Sequence, residues 1–165
     1  MQELNLPKIN IKSKLVNNST QVFDIIRKKY FILTPEEWVR QHVIHYLIFH
    51  KKYPKGLMQV EKLIKYNNLN TRADIVVFDT NSNPVILVEC KAPSVAINKN
   101  AFDQIAKYNF NLKANFLFVT NGINHYCCKI NYNDGGVEYL QEIPNYIVGD
   151  WIIMHTFLFL EEQIL

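Results

Sequence analysis

Two short apolar runs, Ala73-Asp-Ile-Val-Val-Phe78 and Val85-Ile-Leu-Val-Glu-Cys-Lys91, are separated only by Asp79-Thr-Asn-Ser-Asn-Pro84. Short β-branched runs bounded by Asp, Asn and Pro predict an antiparallel hairpin. Side chains alternate along a strand, so Val85, Leu87, Glu89 and Lys91 share one face and Ile86, Val88 and Cys90 the other. Glu89 and Lys91 are therefore neighbours at the end of an otherwise apolar strand. Charged residues seldom enter such a strand without a partner or a task.

The register decides what they meet. Pairing Asp79 with Pro84 sets Asp74 opposite Glu89, and a slip of two residues sets it opposite Lys91. A slip of one puts Asp74 beside Cys90 and faces it away. In the first two registers, two carboxylates and an ammonium converge at one end of a sheet. Two facing carboxylates repel unless a positive charge lies between them. Lys91 supplies one, which gives an ordinary salt-bridge cluster. A hard cation supplies another: Asp74, Glu89 and the Cys90 carbonyl suit Mg²⁺, which takes oxygen ligands and keeps several waters. Such an ion polarises a phosphoryl oxygen and acidifies a bound water, with Lys91 placed to orient that water or to stabilise developing charge.

The rest of the chain supplies a frame. Residues 1 to about 20 are polar and read as an extended arm, and Val22 to Ile32 is compatible with a strand pair beside it. Thr34-Pro35-Glu36-Glu37 starts a helix with a hydroxyl cap, proline at the first helical position and acids where the dipole favours them. That helix is expected to reach about His50, with Val39, Val43, Ile44, Leu47 and Ile48 on one apolar face. A second helix covers roughly Lys99 to Leu112, and Ala101, Gln104, Ile105, Tyr108 and Leu112 form its buried stripe. An amide on a buried stripe needs partners. Asn115 to Thr120, His125 to Tyr132 and Val137 to Gln141 read as further strands. Residues 145–165 read as an apolar C-terminal helix able to build a homodimer. The order predicts a single α/β domain over 1–165, with a central mixed β-sheet flanked by helices.

Read in order, Pro35-Glu-Glu-Trp-Val-Arg-Gln41, Arg72-Ala-Asp-Ile-Val-Val-Phe78, Val88-Glu-Cys-Lys-Ala-Pro93, Gln104-Ile-Ala-Lys-Tyr108 and Thr120-Asn-Gly122 resemble the N-terminal nuclease domain of type I restriction enzyme R subunits. That domain is of the PD-(D/E)xK kind, and the resemblance spans roughly residues 34–125. It implies a restriction-endonuclease-like fold and a Mg²⁺-dependent (or Mn²⁺-dependent) DNA phosphodiesterase. Asp74 and Glu89 would be metal ligands and Lys91 the catalytic lysine. The family's extra helical acid would fall on Glu37 or Glu36, with Glu37 favoured, and Gln104 and Tyr108 would lie beside the site. R subunits continue into an ATP-driven translocase, but this sequence holds no G-x-x-x-x-G-K-[ST] phosphate loop, so ATP-powered cleavage is not expected of this chain alone.

Composition narrows the alternatives. No apolar run approaches the ~18 residues of a membrane span, and the N-terminus lacks a signal-peptide pattern, so a cytoplasmic protein is expected. A formal charge of +3 permits DNA as partner without requiring it, and basic clusters near Lys28, Lys52 and Lys62 offer a path. Three cysteines without a C-x-x-C pair support neither zinc nor redox chemistry, and His42 and His45 lack a metalloprotease spacing. Arg40 and Arg72 suit either phosphate binding or bracing of acids. The competing reading is a nuclease-like module that binds or assembles without cutting.

Overall fold

The computed structural model describes residues 1–66 and 69–147. The larger part of the expected C-terminal helix, from residue 148 onward, lies outside the described residues.

The chain opens with a three-stranded antiparallel meander: β1 (Ser13–Val16), β2 (Ser19–Asp24) and β3 (Lys29–Ile32). Helix α1 (Pro35–His45) follows, and its N-cap is Thr34, whose hydroxyl accepts from Glu37 N at 3.0 Å. The helical path reaches His50 as expected, but its last turn, Tyr46–His50, is a π-turn. Lys51 N donates to Tyr46 O across that widened turn. Its buried ammonium pairs with Glu142 at 2.9 Å, so the wider turn accompanies burial of Lys51 against the segment after the last strand.

A six-stranded mixed sheet forms the body, in the order β4 (Met58–Tyr66), β5 (Leu69–Phe78), β6 (Pro84–Cys90), β7 (Phe116–Thr120), β8 (His125–Ile130) and β9 (Val137–Leu140). Only β6 and β7 run parallel, joined across α2 (Lys99–Leu112). Helix α1 covers one face, where Val39, Val43, Ile44 and Leu47 pack on Ile75, Val77, Ile86 and Val88. Helix α2 covers the other, with Ala101 and Ile105 on Val76, Leu87 and Val119. The result is the α/β architecture that the alternation of helices and strands implies.

The β5–β6 hairpin adopts the register that sets Asp74 towards Glu89: Ile75 pairs with Val88, Val76 with Leu87 and Val77 with Ile86. A bulge then follows at Val77/Phe78, and Phe78 pairs with Pro84.

Strict alternation fails at one place. On β4, Met58 and Val60 pack on the α1 side while Ile64 packs on the α2 side, although all three share parity. On β5, Ile75 and Val77 lie on the α1 side and Ala73 on the α2 side. The two strands therefore roll over between these positions, at Glu61 and Asp74. Glu61 has φ of 53°, a left-handed conformation uncommon for a residue with a long side chain. Asp74 thus sits where the hairpin turns its faces over.

The N-terminal residues are docked on the body. Leu4 is buried, Asn5 N donates to Gly122 O at 2.7 Å, and Trp38 Nε1 donates to Gln2 O at 3.0 Å. Gly122 (φ 83°) permits this approach, because a Cβ there would lie 2.8 Å from Leu4 Cδ2 and 3.1 Å from Val39 Cγ2. Gly122→Ala is expected to cost about 2 kcal/mol through backbone strain and overpacking. In thermal denaturation that is a fall of roughly 4–8 °C. An unchanged midpoint would show that the Leu4 contact yields freely.

The cysteines Cys90, Cys127 and Cys128 are buried free thiols. No helix among the described residues is long and apolar enough to cross a membrane.

Candidate active site

The site forms where β5 and β6 separate. The paired residues run Val77–Ile86, Val76–Leu87 and Ile75–Val88, and the β5–β6 pairing ends at Ile75, before Cys90 gains a partner on β5. Cys90 N donates instead to Asp74 Oδ2 at 2.6 Å. The Asp74 carboxylate thus takes the place of a backbone acceptor at the point where the strands roll apart. A residue's N–H and C=O point the same way on an antiparallel edge, so the Cys90 carbonyl also faces Asp74. Burial pushes the Cys90 thiol well above its ordinary value, so the oxygen and not the sulfur is the donor offered there.

On the α2 side, Glu89 shares its face with Leu87 and is 5% exposed. Its Oε1 accepts from Lys91 Nζ at 2.7 Å and from Gln104 Nε2 at 3.0 Å, and Lys91 Nζ lies 3.5 Å from Gln104 Oε1. Gln104 arrives from the buried stripe of α2, while Lys91 N, bonded to Thr120 O at 2.8 Å, fixes the end of β6. Burial first and the charge of Asp74 second raise the Glu89 carboxyl to about 7, with Lys91 opposing them only in part. For Lys91, burial alone lowers proton affinity. The hydrogen bond and charge of Glu89 outweigh it, so the ammonium is held above its usual value. At neutral pH Lys91 is a fixed positive charge and not a base.

On the α1 side, Arg40 braces the acids. Its guanidinium donates to Asp74 Oδ1 at 2.6 Å and Glu36 Oε1 at 3.1 Å, and makes a further bond to Glu37 Oε2. Arg72 is exposed and only 3.9 Å from Glu61, so of the two arginines weighed for phosphate or acid, Arg40 is the bracing one. Glu36 and Glu37 divide their roles. Glu37 is buried and bonded to Arg27, Arg40 and Gln41, whereas Glu36 is half-exposed and its charge is felt by both Glu89 and Lys91. Glu36 is thus the more exposed of the two, while Glu37, the one favoured from the sequence, is held among buried partners.

Asp24 and Arg27 join the site from outside the expected set, Arg27 from the basic cluster near Lys28. Asp24 is fully buried at the end of β2 and accepts from Ile26 N, Arg27 N, Arg27 Nε and Gln41 Nε2. One signal for it was present: an acid directly after Val22-Phe23 in a stretch otherwise rich in lysine. His42 and His45 take no part. His42 Nδ1 pairs with Trp38 O at 2.9 Å, and burial lowers the proton affinity of both rings.

In this connected cluster six carboxylates (Asp24, Glu36, Glu37, Glu61, Asp74, Glu89) meet four cations (Arg27, Arg40, Arg72, Lys91). Glu89, though paired with Lys91, also feels the charges of Asp74 and Glu36, and a divalent cation there would offset that repulsion. The donors on offer are hard oxygens: Asp74, Glu89 and the Cys90 carbonyl. Among the described residues no three His, Cys, Asp or Glu side chains form a ready-made cage. The set therefore fits an ion held by one or two carboxylates and waters, as Mg²⁺ is, and does not fit zinc.

A mixed six-stranded sheet between two helices, with this acid–acid–lysine edge, defines a restriction-endonuclease-like α/β domain. Residues 35–144 match the family model "Type I restriction enzyme R protein N terminus (HSDR_N)", and the chain belongs to that family. Among solved structures, a fragment described as an HsdR subunit of a type I restriction enzyme from Vibrio vulnificus YJ016 matches with a TM-score of 0.51 at 18% identity. The match covers 68% of this chain and 24% of that one, so the chain spans about a quarter of the fragment's length. The type IIG restriction endonuclease BpuSI matches with a TM-score of 0.40 at 16% identity, over 78% of this chain and 15% of that one. No curated protein matches the sequence.

Proposed function

We propose that this domain hydrolyses DNA phosphodiester bonds with Mg²⁺, or Mn²⁺ in its place, as a PD-(D/E)xK deoxyribonuclease acting in restriction, defence or repair. The observation that carries the reading is the meeting of Asp74, Glu89, Lys91 and Gln104 at the parting of β5 and β6, with Glu89 raised to about 7 by burial and, second to it, by the charge of Asp74. Asp74, Glu89 and the Cys90 carbonyl would hold the ion, which would supply an activated water and polarise a phosphoryl oxygen. Lys91 holds its positive charge where negative charge develops on the phosphoryl oxygens. Gln104 fixes Glu89 and Lys91 together, so neither spends the reaction searching for its rotamer. Arg40 keeps Asp74 aimed at β6. DNA is the partner, larger restriction assemblies are its natural setting, and no ATP is bound by these residues.

The second reading, a domain that grips DNA without cutting, draws on Arg40: it already occupies an oxygen of Asp74 that a metal would share. Supercoiled plasmid and single-stranded DNA incubated with Mg²⁺, Mn²⁺ or EDTA separate the two. Cleavage that needs metal and stops with EDTA supports the nuclease. Metal-independent DNA retention with no cut under any condition supports the binding module.

A further inference from the structure

We propose that Arg27, in the turn between β2 and β3, is a positioning residue for this site, which makes the N-terminal meander part of the working unit. The inference rests on the nuclease reading above. Arg27 lies outside the segment that matches the family model.

Its guanidinium is shared among three carboxylates from three elements. Nε donates to Asp24 Oδ2 at 2.7 Å, Nη1 to Glu61 Oε2 at 2.8 Å, and Nη2 to Glu37 Oε1. Its carbon stands 3.4 Å from the centroid of the Phe31 ring, and only 11% of the side chain is exposed. A planar fork with five donors spread over three nitrogens reaches three acids on different elements, a span that the single nitrogen of a lysine lacks.

Each of these acids leads to the site. Glu61 is the left-handed residue on β4 at which the β4–β5 hairpin rolls over. Glu37 uses its second oxygen to hold Arg40, and Arg40 holds Asp74, which holds Cys90 N. The line from the meander to the proposed metal ligand is therefore an unbroken series of charge-assisted hydrogen bonds. Without Arg27, Asp24 and Glu37 keep their buried negative charge, and Arg40 is the nearest remaining guanidinium for Glu37. Arg40 is then drawn towards Glu37 and away from Asp74, and the Asp74 carboxylate loses its aim.

Arg27→Ala, assayed on plasmid DNA with Mg²⁺, is expected to lower kcat by roughly 10- to 100-fold while KM stays within about two-fold, as for a misplacement away from the chemistry. Millimolar guanidinium should restore at least half of the lost activity and methylammonium should not, because the gap accepts a planar fork. A purely structural residue would lower the melting point without this kcat-only loss or its rescue. Should Arg27→Ala fail to fold by circular dichroism, Arg27→Lys replaces it, with kcat expected to fall roughly five- to ten-fold at unchanged KM. A folded variant that cleaves like an active wild type overturns the assignment of Arg27 and leaves the nuclease reading standing. A wild type that cuts nothing overturns both.

Discussion

Lys91→Ala is expected to reduce metal-dependent cleavage by about 10³-fold, the scale on which one well-placed electrostatic donor contributes to a charged transition state. The side chain is partly exposed, at 23%, and held by Glu89 at 2.7 Å and Gln104 at 3.5 Å. Folding therefore survives its loss better than chemistry does. The removal has a second consequence. Lys91 is the cation that opposes the rise of the Glu89 carboxyl, so without it Glu89 is driven further above 7 and stays protonated across neutral pH. A protonated Glu89 is a poor metal ligand. The variant should thus need a higher pH or more Mn²⁺ to show what activity remains. Single-turnover cleavage at pH 7 and 9, with circular dichroism to verify the fold, measures both effects. Cleavage within ten-fold of wild type at pH 7 would remove Lys91 from the chemistry.

The parts of this site that were legible in the sequence are those set by local periodicity. Glu89 and Lys91 are two apart on one strand, and a register of odd index sum turns Asp74 to their face. The pairing of Phe78 with Pro84 means, however, that the bulge at Val77/Phe78, which no residue count reports, sets that register. Gln104 is found from the stripe on α2. What stayed hidden depends on packing between distant elements. Arg40 shares α1 with both Glu36 and Glu37, and only the approach of β5 adds Asp74 to its partners. The face reversal at Glu61 and Asp74 breaks the period-two rule, and neither a Gly nor an Asn marks it. Asp24 and Arg27 lie in Val22 to Ile32, the stretch compatible with a strand pair beside the arm. Their role is set by a fold-back that brings residue 27 to residues 37 and 61, and no helical or strand period reports such a distance. Glu36 and Glu37 are adjacent and both reach the site side of α1. What separates them is Arg27, which occupies Glu37.

Glu89→Gln should make the protein more stable at alkaline pH while abolishing its metal response. In the folded chain the Glu89 carboxyl stands near 7, against 4.5 for an unhindered glutamate. The folded state therefore keeps a proton that the unfolded chain releases between those values. For a group raised in this way, stability is complete below about pH 4.5 and is lost as pH climbs through 7. By pH 8 the loss reaches on the order of 3 kcal/mol at 1.36 kcal/mol per unit. Glutamine keeps an oxygen for Lys91 and Gln104 and never ionises, so its stability should stay nearly flat over the same interval. Urea unfolding at pH 5 and pH 8 reads the difference: similar midpoints at pH 5, and a gain of roughly 2–3 kcal/mol for the variant at pH 8. Parallel pH profiles for the two proteins would mean that burial and the charge of Asp74 do not together raise Glu89. Adding Mg²⁺ links this to function. An ion held by Asp74 and Glu89 must displace the proton, so its stabilisation of the wild type should grow between pH 6 and pH 8. The glutamine variant has no proton to lose and one formal charge fewer to offer. Its melting point should respond weakly to Mg²⁺ at either pH, although it is the more robust fold: the charge that costs this domain stability is the charge that would hold the metal.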